Sequence, residues 1–298
     1  MFATIRKHPV ASYFALTFLL SWGGIFAVIG GGAIPAPPEE ADRLFVLVYL
    51  AMLAGPSIAG IAVTAIAGGM PGLAEFRARL LKWRVEPRWY AAALLIAPLA
   101  LLAALAILSP LSDRFVPGVI KGLGGDAPFH SDSRTWFVLT GLLIGLGAGF
   151  FEELGWTGFA LPRLCARYGV AIGALLLGLV WGAWHFLAIF WGGASAFDSV
   201  PIAAYLAVAL FSFIPPYRVL MAYVYDRTKS LFIAILMHAS LTASMLILGP
   251  AVSGTQLLAF DITFAALFWL AAGLTLGVLQ RPMRRNAASH RISATPTR

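Results

Sequence analysis

The sequence predicts an all-α fold: a polytopic membrane helix bundle of about eight transmembrane helices, with both termini in the cytoplasm. Three observations predict it. Hydrophobic residues make up 60% of the 298 and charged residues only 11%, with a mean hydropathy of +0.86. A water-soluble chain carries about 25% charged residues, so apolar surface on this scale calls for lipid as its solvent. The apolar residues fall in runs of about 20, the length that spans a hydrocarbon core. The basic residues gather in alternate gaps between those runs.

The runs lie at residues 10–31, 44–68, 89–109, 136–158, 170–192, 200–224, 230–249 and 257–279. The first follows Arg6 and Lys7 and is long enough to span rather than to be cleaved as a signal peptide. With the N-terminus inside, the inner segments hold Arg6 and Lys7, the cluster Arg77 to Arg88, Arg163 with Arg167, Arg227 with Lys229, and a basic tail. The outer segments hold only Arg43, Arg114, Lys121 and Arg134. This is the positive-inside pattern. The net charge of +8 thus reports topology and contact with the lipid bilayer, and no nucleic-acid partner is expected.

Residues 71–87 read as a basic amphipathic stretch at the inner interface, the loop 110–134 as external, and the tail 281–298 as a disordered cytoplasmic segment. Residues 1–280 form a single transmembrane domain. No internal repeat is visible, whereas an inverted-repeat transporter is expected to show one. Cys165 is the one cysteine, so neither an intrachain disulfide nor a Cys-pair metal motif is available. The expected location is a bacterial plasma membrane, as an integral multi-pass protein.

An ionised group at the centre of a bilayer costs about 3 kcal/mol on insertion scales, so those inside the spans are functional candidates. They are few: Glu152 and Glu153 on the fourth span, His185 on the fifth, Arg218 on the sixth and His238 on the seventh, with Asp261 near the eighth. Neighbours on a helix point about 100° apart, so Glu152 and Glu153 cannot face one spot; one can face a cavity while the other pairs elsewhere. A buried carboxylate suits a general base; its structural alternative is a hydrogen-bonded pair that orients helices. Trp181 shares a face with His185, and Thr242 with His238. At about 1.5 Å per residue, Glu152 lies about 9 Å, His238 about 13 Å and His185 about 22 Å from the inner ends of their spans. His185 is thus expected further out unless its helix tilts or begins late, after Gly173.

Other intramembrane chemistries lack their residues. There is no His-Glu-x-x-His helix and no Gly-x-Ser-x-Gly elbow. Asp126 and Asp226 fall in loops, which leaves an aspartate pair without a membrane setting. A carboxylate with two histidines remains.

These residues resemble the CPBP (Abi) family, the type II CAAX prenyl endopeptidases and their bacterial relatives. The resemblance covers about 135–248. It rests on Glu152-Glu153 followed by Trp156 and Thr157, on Trp181 four residues before His185, and on His238 four residues before Thr242. Thr157 stands where the family often has Arg, and Thr242 where it often has Asn. Arg218 is the expected substitute for the cation missing at 157.

The resemblance implies an intramembrane endopeptidase. Glu152 and His185 would activate water, His238 and Thr242 would stabilise the oxyanion, and Glu153, Trp156, Trp181 and Arg218 would support them. In a metal-dependent form, Glu152, His185 and His238 would bind Zn. The substrate would be a membrane-embedded or lipidated peptide. The alternatives are a non-proteolytic bacteriocin-immunity or membrane-scaffold protein, and a proton-coupled transporter.

Overall fold

A lipid-embedded chain must pair its backbone groups within each segment, and this one does so with helices. The structure, a computed structural model, describes residues 2–121, 133–197 and 200–292, with side chains to residue 277 except at 121, 194 and 195. The helices are α1 (Phe2–Lys7), α2 (Pro9–Ile29), α3 (Pro38–Leu80), α4 (Pro87–Leu108), α5 (Gly118–Lys121) and α6 (Arg134–Gly155), then α7 (Leu161–Gly192), α8 (Ala194–Phe197), α9 (Ile202–Phe211), α10 (Ile214–Thr228), α11 (Leu231–Leu248) and α12 (Gly254–Ile292). A π-helical turn, Trp156–Ala160, joins α6 to α7. No strand occurs among the described residues. α2, α3, α4 and α10 carry Pro in their first turn, where its missing N–H would have no intrahelical partner in any case.

Among the described residues, seven continuous helical segments are long and apolar enough to cross a membrane. The eight predicted spans map onto seven because one segment, Arg134–Gly192, is 59 residues long and holds two of them. It folds back at Gly169, whose φ is 78°, a conformation that favours glycine. A Cβ on Gly173 would stand 2.8 Å from the backbone nitrogen of Cys165; a straight helix separates residues eight apart by about 12 Å. The fold-back returns α7 through the bundle, where it packs on α10 and its Trp181 reaches Glu152 of α6.

Two predicted elements differ in detail. The stretch 71–87 is helical to Leu80 as an arm of α3, bent at Gly69 (φ 59°), and non-helical over 82–86. The arm packs Phe76 against Leu154, Leu231 and Ile235, and Arg79 donates to the Tyr225 hydroxyl (2.8 Å) and the Gly158 carbonyl (3.0 Å). The predicted span 200–224 is broken between α9 and α10. Pro215 and Pro216 supply no N–H there, and Pro215 restricts the residue before it. The predicted tail 281–298 and much of the predicted loop 110–134 lie outside the described side chains; the backbone is described to Ile292.

Helix contact in lipid rests on close packing of small residues. On α6, Gly141, Gly145 and Gly149 recur every fourth residue, and the next position on that face is Glu153. A Cβ on Gly145 would meet the Ala239 carbonyl oxygen at 2.7 Å, and one on Gly149 the Ile235 carbonyl oxygen at 2.5 Å. α6 and α11 therefore touch backbone to backbone, which brings Glu153 beside His238. Gly149→Leu is expected to lower unfolding free energy by about 1–3 kcal/mol and to reduce whatever activity depends on that pair. Gly273→Leu, with nothing within 4 Å of its Cβ, should leave the melting curve in detergent unchanged. Equal melting curves for the two variants would show that the close approach is not needed.

Candidate active site

The fold-back at Gly169 and the glycine contact with α11 bring four buried ionisable groups together. Glu153 and Arg218 are fully buried, and Glu152 and His238 nearly so, at 3% and 2% exposed. As their angular separation requires, the adjacent glutamates face apart.

Glu153 turns to α10 and α11. Its Oε2 accepts from Arg218 Nη1 at 2.9 Å and from the Thr157 hydroxyl, one turn on. Its Oε1 accepts from His238 Nδ1 at 2.8 Å. A carboxylate only accepts, so Nδ1 carries the proton in that bond, and His238 has only Nε2 left to offer the cavity. Arg218 thus stands at the carboxylate where Thr157 leaves no charge. Its Nε and Nη2 have no hydrogen-bond partner among the described residues, and its Cζ lies 4.1 Å from the Trp181 ring centroid, a cation–π position.

Glu152 turns to a cavity of 490 Å3. Its Oε2 accepts from the indole N–H of Trp181 at 2.8 Å and of Trp156 at 3.3 Å. Its Oε1 lies 3.9 Å from His238 Nε2, too far for a direct hydrogen bond and a separation that one water can bridge. His185 donates Nδ1–H to the Trp181 carbonyl at 2.9 Å, which leaves its Nε2 as acceptor. Its ring sits against Trp181 and Trp184, with centroids 5.6 Å and 4.8 Å apart.

Glu152, Trp181, His185, His238 and Thr242 all line this one cavity. His185 is in the same chamber as Glu152 despite its greater distance from the start of its span. Trp156 is fully buried behind them, edge-on to Trp184 at 5.5 Å.

Sequence reading missed Tyr49 and Asp42, which also line the cavity. Tyr49 donates to the Ile144 carbonyl at 2.6 Å and ties α3 to α6. Neither belongs to a motif, and Tyr49 meets its partner across 95 residues, so no local signal could have found it.

Glu152, His185 and His238 are the donors a zinc ion would need. Among the described residues no three His, Cys, Asp or Glu side chains are gathered closely enough to hold a metal ion. The hydrogen bonds of Glu152 Oε2 and of both Nδ1 atoms leave Glu152 Oε1 and the Nε2 of each histidine as the atoms that would hold the ion, which would polarise the scissile carbonyl or activate water there.

Residues 134–244 match the profile of the family described as type II CAAX prenyl endopeptidase Rce1-like. Over 98 residues the chain is 31% identical to "CAAX prenyl protease 2" of Methanococcus maripaludis, an alignment covering 33% of this chain and 36% of that relative. The chain thus spans about a third of the length of the curated relative it matches. The matched segment runs from the start of α6 into α11 and holds Glu152, Glu153, Trp181, His185, Arg218, His238 and Thr242. Residues 134–244, with the paired glutamates and both histidines inside them, are thus the part of this chain that is similar to the Rce1-like family.

Proposed function

We propose that this protein is an intramembrane endopeptidase that hydrolyses a peptide bond of a membrane-embedded or lipidated peptide. The observation that carries the reading is the division of labour between the two glutamates. Glu153 is consumed by Arg218, Thr157 and His238. Glu152 keeps one oxygen free toward a largely apolar cavity, opposite His238 Nε2.

In this reading a water sits against Glu152 Oε1 and His185 Nε2. Glu152 takes its proton as general base, and the oxygen adds to the scissile carbonyl carbon. The oxyanion that forms accepts a hydrogen bond from the Thr242 hydroxyl and, with His238 as the imidazolium beside Glu153, a second from its Nε2–H. Such fixed donors act strongly where water is excluded. As the C–N bond breaks, the proton held by Glu152 passes to the leaving amine. Arg218 and Glu153 act through His238 by fixing its ring. The substrate class and the roles of Glu152, His185, His238 and Thr242 belong to this proposal, as do cytoplasmic termini and metal independence.

The test compares new peptide termini in membranes of cells expressing the wild type or Glu152→Ala at matched levels of folded protein. Termini that appear only with the wild type are expected, and a chelator should leave them in place. Identical termini would turn the reading to a non-catalytic immunity or scaffold role. Loss with chelator and recovery with zinc would replace the metal-free mechanism by the metal-dependent one.

A further inference from the structure

Among the described residues, the exposed lining of the cavity lies at one end of the bundle and the basic residues gather at the other. Its deep end is formed by Glu152, Trp181 and His238. From there it follows α3, α7, α9 and α11 toward Ala41, Asp42, Gly192 and Ala196. Asp42 and Gly192 are the exposed residues of the lining, and both lie at this far end. The loop before α3 is pinned there as well, with the Ala36 N–H donating to the Trp191 carbonyl at 2.7 Å.

The opposite end is a different surface. Arg6 donates to the Ile66 carbonyl, Arg79 reaches Tyr225 and Gly158, and Ser230 donates to the Lys82 carbonyl. These bonds gather Arg6, Lys7, Arg77 to Arg88, Arg163, Arg167, Arg227 and Lys229 into one basic face. None of these residues lines the cavity. The mouth end carries Glu39, Glu40 and Asp42 in the first turns of α3, with Arg43 as the basic residue beside them. A face rich in Lys and Arg in short loops is retained in the cytoplasm.

Charge and cavity together fix a direction. We infer that the catalytic chamber opens to the extracytoplasmic side of the membrane, and that its substrate is a peptide segment presented from that side. This rests on the protease reading above for the nature of the occupant and on the charge asymmetry for the direction. A peptide still in the cytoplasm would meet the basic face, with Glu152 walled off from it by the arm of α3, the end of α6 and α11, which pack on one another through Phe76, Leu154, Leu231 and Ile235.

The test places single cysteines in a Cys165→Ala background, at Ala41 in the mouth and at Leu81 on the basic face, an exposed neutral position. A bulky, membrane-impermeant thiol reagent is applied to right-side-out and inside-out vesicles. Ala41→Cys is expected to label in right-side-out vesicles and Leu81→Cys in inside-out vesicles. Labelled Ala41→Cys should then lose at least tenfold of the Glu152-dependent cleavage that the unlabelled variant shows. Labelling of Ala41→Cys from the inside-out face alone overturns the proposal, as does full cleavage by the labelled form. Should Ala41→Cys fail to fold, Ala196→Cys serves at the same mouth. The labelling needs no activity, so a chamber that opens outward on a protein with no Glu152-dependent cleavage would overturn the protease reading and leave the sidedness standing.

Discussion

Glu152→Gln is expected to slow peptide hydrolysis by about 10²–10⁴-fold, the usual contribution of a positioned general base, and to leave the fold nearly untouched. The glutamine oxygen can still accept from the Trp181 and Trp156 indoles, which the glutamate bonds at 2.8 Å and 3.3 Å, so those packing bonds survive. What is lost is the capacity to take a proton from water. Turnover of a membrane peptide by purified protein in vesicles, beside a melting curve, separates the two effects. A variant within threefold of the wild type would remove Glu152 from the mechanism. Thr242→Val should cost about 10²–10³-fold if its hydroxyl is an oxyanion donor. It should change only KM if Thr242 merely lines the chamber.

Arg218→Leu carries the second large effect, chiefly on the fold. It would leave the Glu153 carboxylate buried without its cation, and breaking a buried ion pair from one side costs about 3–5 kcal/mol. A large fall in melting temperature is expected, together with loss of cleavage, because the His238 ring is held by the same carboxylate. Thr157 lies one turn beyond Glu153 on the same face and already donates to it. Adding Thr157→Arg to Arg218→Leu should therefore restore part of the stability and part of the cleavage. Arg218→Ala with unchanged melting and turnover would show that the guanidinium is dispensable.

The spans were legible in the sequence because lipid admits few solutions: about 20 apolar residues must pair their own backbone. The site was legible for a related reason. An ionisable group on such a span is expensive enough that chance does not put it there, so Glu152, Glu153, His185, Arg218 and His238 could be picked out singly. Their pairing was harder to read. That Arg218 serves Glu153 followed from one charge left over on a span and one missing at Thr157. That His238 shares Glu153 required knowing that Gly145 and Gly149 let two backbones touch, which depends on α11 being the partner. The break between α9 and α10 had its signal in Pro215 and Pro216, yet hydropathy alone merges the two helices. Tyr49 and Asp42 reach the chamber through tertiary folding alone.

The fold-back at Gly169 also bears on how the protein is made. Both glutamates, Trp156, Trp181 and His185 lie in one stretch of 59 residues, and synthesis runs from the N-terminus. The part of the candidate site that lies on α6 and α7 is therefore synthesised before α10 and α11 begin. The counter-ion and the second imidazole come later, on α10 and α11. Until Arg218 is synthesised, Glu153 has within its own helix only Thr157, one turn on, to bond. The cation that Glu153 meets in the folded bundle therefore comes from a helix made after the glutamate itself.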